Sequence, residues 1–302
     1  MLYNTGMDTS LYSAPCKLNL FLHITGRRSD GYHHLQSIFL LLDHGDDLRI
    51  TVRHDGQVLH QNPLAGVSPE QDLTVRAARA LQSASGCQLG ANIHCTKRTP
   101  MGGGLGGGSS DAATVLLVLN RLWQLNYSRQ QLMQIGLTLG ADVPVFIFGQ
   151  PAWAEGVGEQ LSAVTLPADI LEKYYVVITP HIQVPTAEIF THQALTRDTK
   201  PLRIADFSNG ANSSAFWQQV RNDMENVVCT LYPEVANTLD WLKQYGDARM
   251  SGSGASVFVA VDSAEKAEKL IAQRPENTSG FWARVLKCHP LFTMADDKIV
   301  TG

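Results

Sequence analysis

Six of the seven residues from 102 to 108 are glycine, and the run passes directly into an apolar, helix-like stretch. Glycine loses more chain entropy on folding than any other residue, so a packed core has no use for six together. A main chain this bare suits a loop that wraps closely around another group. Where such a loop opens a helix, unpaired N–H groups and the positive dipole end make phosphate the natural occupant. The chain is therefore constrained to a strand, a glycine turn and a helix, with an anion held at the turn.

The size and charge of the chain narrow the rest. Its 302 residues are 44% hydrophobic and 17% charged, which suits one large or two medium globular domains. A formal net charge of −4 argues against nucleic acid or an anionic membrane as a bulk electrostatic partner. Apolar runs such as residues 38–42 and 115–119 are far too short to span a bilayer. The first residues lack the basic and apolar regions of a signal peptide, and Met1 and Met7 both offer a start. Five scattered cysteines without a C-x-x-C favour neither a disulfide framework nor a zinc site. A soluble, cytoplasmic protein is expected.

Periodicity supplies the elements. From Lys17 the residues alternate, with Leu18, Leu20, Leu22 and Ile24 on one face and Lys17, Asn19, Phe21 and His23 on the other, which predicts a strand. Residues 26–31 read as a turn, and residues 35–42, 49–52 and 91–97 as further strands. Residues 72–82 predict a helix. After the glycines, Ser110 is expected to cap a helix with Asp111 in its first turn, and Ser128 to cap the next, which stops at Gly140. Pro144 biases Val143 toward an extended backbone, which places Asp142 on a helix-to-strand corner before a strand at residues 145–148. Farther on, residues 174–179 read as a strand, 203–219 as polar and irregular, 233–245 as a helix, 250–261 as a Gly/Ser turn into a strand, and 263–273 as a helix. The fold class is α+β, with a domain boundary near Val164 that divides residues 1–163 from 164–302.

Three phosphate loops compete for the glycine run. A Walker A loop needs lysine where Gly108 stands. A Rossmann fingerprint fits Gly102, Gly104 and Gly107, but no acidic residue lies about 20 positions on to bind a ribose. The protein-kinase glycine loop requires H-R-D and D-F-G motifs that the chain lacks. The fuller string PMGGGLGGGSSDAA (residues 100–113) resembles the phosphate loop of the GHMP kinases, the superfamily of galactokinase, homoserine kinase, mevalonate kinase and phosphomevalonate kinase. Two further blocks of that superfamily occur in order, P-x-K-x-N-L at residues 15–20 and SGSGASVF at residues 251–258. Within it, the chain is similar to the branch acting on 4-(cytidine 5′-diphospho)-2-C-methyl-D-erythritol. That likeness rests on KLNLFLHITGRRSDGYHHLQS (residues 17–37), LGADVPVF (139–146), AEGVGE (154–159) and VPTAEIF (184–190).

The resemblance implies a two-domain GHMP-kinase fold with the active site in the interdomain cleft. It implies ATP as co-substrate, Mg²⁺, and a cytidyl diphosphate sugar-alcohol acceptor phosphorylated at its 2-hydroxyl. Pro100, Met101, Gly102, Gly103, Gly104, Leu105, Gly106, Gly107, Gly108, Ser109 and Ser110 would cradle the triphosphate, with Lys97 and Asp72 near the adenosine. Asparagine is expected at position 72, and an ionised aspartate there only accepts hydrogen bonds. Asp142 would accept the hydroxyl proton and Lys17 would offset the emerging charge. Asn19 would hold substrate hydroxyls or orient Lys17. Tyr32, His33 and Phe190 would take the cytosine base, with Val157 and Thr186 also touching substrate. No carboxylate stands out as a metal ligand. A monomer or weak homodimer is expected.

Overall fold

The computed structural model describes residues 10–210 and 214–292, so the choice between Met1 and Met7 lies outside the described residues. The alternation from Lys17 onward falls within β1 (Leu11–Arg27), which pairs antiparallel with β2 (His33–Arg53). Strand β2 is long, and it absorbs both strands expected at residues 35–42 and 49–52. Next come β3 (Val58–His60), α1 (Leu73–Ser85), β4 (Gly90–Thr96), α2 (Gly107–Leu122), α3 (Arg129–Leu137), α4 (Val143–Phe148), β5 (Ala152–Glu155) and β6 (Gln160–Ala163). The later part of the chain adds α5 (Ala168–Leu171), β7 (Tyr174–Pro180), α6 (Thr186–Thr191), α7 (Ile204–Gly210), α8 (Ser214–Gln219), α9 (Glu225–Leu231) and α10 (Pro233–Lys243). It closes with β8 (Arg249–Met250), β9 (Val257–Val261), α11 (Ala264–Ala272) and β10 (Thr278–Leu286).

The strands run in the order β3-β4-β2-β10-β7-β9-β8, with β1 and β5 also paired to β2. All named pairings are antiparallel except β3 with β4. Strand β10 lies along β7 and then reaches β2 through Val285 and Leu286, so it joins the earlier sheet to the later one. The core falls into three clusters. One sits beneath α1, α2 and α4, around Leu48, Leu81, Leu116 and Phe146. A second packs β7 and β9 against α9 and α10 through Val176, Val228, Leu239 and Val257. The third lies between them, where Leu18 and Phe21 of β1 meet Val177, Phe207 and Phe258. Among the described residues, no helix is long and apolar enough to cross a membrane.

Four local expectations are corrected. Residues 145–148 form the end of α4 rather than a strand, because Pro144 sits in the first turn, where its missing N–H costs nothing. Asp142 therefore stands on a corner between two helices. Helix α2 begins at Gly107, inside the glycines, so Ser110 lies in its first turn rather than at its cap and Asp111 lies beyond that turn. Residues 203–219 hold α7 and α8, whose Phe207 and Phe216 bury into the third cluster. Finally, the β1 alternation breaks after Asn19, where the register shifts and Phe21 joins Leu18 and Leu20 in one cluster. Lys17 and Asn19 still share a face.

The Ser128 cap forms as the sequence implies, with Gln131 N donating to Ser128 Oγ at 3.3 Å and Ser128 N to Gln131 Oε1 at 2.9 Å. Replacing Ser128 by alanine is expected to cost about 1 kcal/mol in urea unfolding. An unchanged unfolding midpoint would mean that this box does not fix the start of α3.

Candidate active site

Strand β4 delivers the chain to the glycine loop, and the loop is fastened from behind. Ser256 N donates to Gly103 O at 3.1 Å, and Ser251 Oγ donates to Gly104 O at 3.1 Å. Both serines belong to the turn between β8 and β9, so the third sequence block grips the second. Gly104 and Gly106 have φ of 72° and 71°, a region that side chains disfavour. A Cβ on Gly104 would fall 2.1 Å from Ser251 O, and one on Gly106 would fall 2.8 Å from Phe146 Cζ. The other side of the loop lines a cavity of about 360 Å³ together with Met101, Asp72, Lys97 and Asp111. No side chain caps α2, which leaves its first N–H groups for a ligand.

Lys17 meets this loop from β1. Its Nζ donates to Gly104 O at 2.9 Å and to Asn19 Oδ1 at 2.5 Å, and lies 3.6 Å from Asp142 Oδ2. The lysine is buried, whereas the Asp142 side chain is 38% exposed and open to an incoming group. Asn19 is held in turn, donating from Nδ2 to Ser37 Oγ at 2.8 Å and from its backbone to Ser251 Oγ at 3.2 Å. A carboxylate, an ammonium and the glycine loop thus converge, although their residues are spread over more than a hundred positions.

A second charged group stands at the loop entrance. Lys97 pairs with Asp46 and with Asp111, the latter at 2.7 Å. Asp46 also accepts from Arg98 N at 2.6 Å and Thr99 N at 2.8 Å, which fixes the turn leading to Pro100. Burial opposes the Lys97 charge, but the two carboxylates outweigh it and hold its pKa above the ordinary lysine range. For Asp111, burial outweighs the attraction of Lys97, and with Asp46 nearby the carboxyl is pushed up to about 7. Asp72 is the cap of α1. Its Oδ1 accepts from Thr74 N at 2.8 Å and from the Thr74 hydroxyl at 2.6 Å, while its Oδ2 lies 2.5 Å from His60 Nδ1. Burial favours the neutral acid, yet bonds from His60 and Thr74 prevail and hold its pKa at about 2. Aspartate at this position is explained by capping and by His60.

The base-pocket candidates gather at the far end of β1 and β2. His33 opens β2 and stacks on Phe190 of α6, with ring centroids 5.0 Å apart and planes tilted by 21°. Tyr32, in the preceding turn, is 64% exposed and stands apart from that stack. Thr186 begins α6 and bonds Ser253 at 2.8 Å, which ties this wall to the turn that holds the glycine loop. Val157 lies in a turn whose Gly156 O accepts from Leu35 N at 2.8 Å, beside the start of β2.

Comparison with known proteins agrees with this geometry. The family model "GHMP kinases N terminal domain" matches residues 72–150, and "GHMP kinases C terminal" matches residues 192–279. A 4-diphosphocytidyl-2-C-methyl-D-erythritol kinase of Aromatoleum aromaticum is 53% identical over 92% of this chain and 94% of its own. A namesake from Burkholderia ambifaria is 53% identical over 93% and 96%. The chain belongs to the 4-diphosphocytidyl-2-C-methyl-D-erythritol kinase family. A crystal structure of a 4-(cytidine 5′-diphospho)-2C-methyl-D-erythritol kinase superposes with a TM-score of 0.76 at 30% identity, covering 91% of this chain and 99% of the other. The mevalonate kinase of Methanococcus jannaschii, 13% identical with a TM-score of 0.66 over 93% and 99%, shares the fold.

Two charged residues that tie these elements together were not among the sequence expectations. Asp46 carried only a weak signal, an acidic residue four positions past the buried run that ends at Leu42, and its partners lie some fifty positions away. Arg197 carried none; its contacts exist only in the folded chain.

Gly104→Ala is expected to destabilise by about 1–3 kcal/mol and to raise the KM for ATP, because the methyl meets Ser251. Gly108→Ala, whose Cβ would lie 3.5 Å from Leu73, should fold nearly as well as wild type. Equal stability of the two variants in thermal unfolding would contradict the clamp. Asp72 has a depressed folded-state pKa, so its contribution exists above about pH 4 and fades as pH falls toward 2. Asp72→Asn, which still caps, should cost up to roughly 2 kcal/mol at pH 7 and almost nothing near pH 2. A pH-independent gap in urea unfolding would refute this linkage.

Proposed function

We propose that the chain transfers the γ-phosphoryl group of ATP to the 2-hydroxyl of 4-(cytidine 5′-diphospho)-2-C-methyl-D-erythritol, yielding the 2-phosphate and ADP in the non-mevalonate route to isoprenoid precursors. The single observation that carries this reading is Lys17 Nζ, placed 2.9 Å from Gly104 O and 3.6 Å from Asp142 Oδ2. Phosphoryl transfer asks little covalent work of a protein; it needs positioning, charge neutralisation and a proton acceptor.

In this reading the loop N–H groups and the α2 dipole hold the triphosphate beside the acceptor hydroxyl. Asp142 takes the hydroxyl proton as oxygen attacks the γ-phosphorus and the bond to the ADP oxygen breaks. Lys17 stabilises the developing alkoxide and the moving phosphoryl charge. Asn19 orients Lys17, as its bond to Nζ supports. Adenosine occupies the cavity flanked by Asp72 and Lys97, while Tyr32, His33, Phe190, Val157 and Thr186 hold the cytidyl end.

Mg²⁺ bound with the nucleotide would supply neutralisation of the triphosphate charge. Among the described residues, Asp111 Oδ1 is a buried carboxylate oxygen beside the cavity without a hydrogen-bond partner, which suits a hard cation. Asp111 would hold the ion. A domain boundary near Val164 is supported by the interval between the two matched stretches, although β10 returns to β2 across it. Five unbonded cysteines fit a cytoplasmic setting, and a monomer or weak homodimer acting on a small molecule completes the reading.

A coupled ADP-release assay with the cytidyl acceptor tests the assignment. Asp142→Asn should lower kcat by about 10²–10⁴-fold while leaving the KM for ATP nearly unchanged. Near-normal turnover would remove Asp142 from the mechanism, and faster turnover of homoserine or mevalonate by wild type would overturn the acceptor.

A further inference from the structure

One cation joins His33 to the end of α6. Arg197 Nε donates to His33 Nε2 at 3.1 Å, and Nη2 donates to Phe190 O at 2.9 Å and His192 O at 2.8 Å. Nη1 donates to Leu195 O at 3.0 Å. The guanidinium therefore closes the C-terminal end of α6, which carries Phe190, and reaches across to the histidine stacked on that phenylalanine.

The chemistry of this contact is one-directional. A guanidinium has donors only and keeps its proton at every ordinary pH. Nε2 of His33 must therefore accept. Burial, then the charges of Arg197 and Arg27, lowers the His33 pKa and favours the neutral ring. In a neutral imidazole with Nε2 accepting, the proton resides on Nδ1. His33 thus offers a donor at Nδ1; the residue is buried and its ring is stacked on Phe190.

We propose that Arg197 is a positioning residue for base specificity: it locks His33 as an Nδ1–H donor and so selects cytosine over uracil. This rests on the cytidyl acceptor assigned above. Cytosine carries a lone pair at N3, which a donor satisfies, whereas uracil carries a hydrogen there. Two donors facing each other leave both unpaired, and sites built around such a bond discriminate strongly. Without Arg197 the ring is free to exchange tautomers, present an acceptor at Nδ1, and accommodate either base. A purely structural role, tying off the end of α6 through three carbonyls, would affect stability without touching base choice or tautomer.

Two measurements test this on the full chain. The first is histidine-labelled ¹⁵N–¹³C NMR without substrate, with His33 assigned by its loss in His33→Gln. Wild type should show the Nδ1–H tautomer, and Arg197→Met a mixture. The second compares kcat/KM for the cytidyl acceptor and its uridyl counterpart. The cytidyl preference should fall at least about tenfold in Arg197→Met, the worth of one hydrogen bond, with the KM for ATP unchanged. Arg197→Lys, which keeps a donor, should retain most of the preference, and it carries the test if Arg197→Met does not fold. An Nε2–H tautomer in wild type, or an unchanged preference in folded Arg197→Met, would overturn the proposal. If wild type used neither acceptor, the acceptor assignment would fail, while the substrate-free spectrum would still decide what Arg197 does to His33.

Discussion

A buried ammonium has to be answered by oxygens, and in this chain the answers to Lys17 come from three separate parts of the sequence. Asn19 supplies one from the same strand, Gly104 another from the glycine loop, and Asp142 a third from the corner between α3 and α4. If any of them moved away, the remaining contacts would have to carry a desolvated charge. The convergence is therefore both a requirement of folding and the arrangement proposed above for catalysis. The sheet makes it achievable: Lys17 and Asn19 sit opposite Leu41 and Phe39 of β2, in the middle of the longest pairing in the molecule.

The glycine loop shows the same double purpose. Its bareness first reads as an adaptation to phosphate, but at Gly104 and Gly106 the close neighbours belong to the protein: Ser251, Phe146 and Lys17. The loop must press against the β8–β9 turn before its free side can be shaped for a ligand. That turn reaches α6 through Thr186 and Ser253, and α6 reaches His33 through the Phe190 stack and Arg197. The glycine loop and His33 are thus connected through one chain of contacts.

Much of this was legible in the sequence because it is local. The strand carrying Lys17, the Ser128 cap, the helix after Asp72 and the three ordered blocks each declare themselves within a few residues. The errors came where tertiary packing or helix-terminus chemistry overrode the local pattern. Pro144 read as a strand signal and instead starts a helix. Ser110 read as a cap, although the glycines themselves begin α2. Phe207 and Phe216 lie in a polar stretch whose helical form becomes evident only when both rings reach a shared cluster. Asp46 and Arg197 act on partners that no spacing rule connects to them.

The most direct test of the central claim is a crystal structure of the enzyme with a non-hydrolysable ATP analogue and the cytidyl acceptor. The γ-phosphate should rest on the loop N–H groups, with the acceptor 2-hydroxyl roughly 3 Å from an Asp142 oxygen and Lys17 Nζ beside the line between them. A hydroxyl held beyond reach of Asp142, or a triphosphate bound away from the glycine loop, would contradict it.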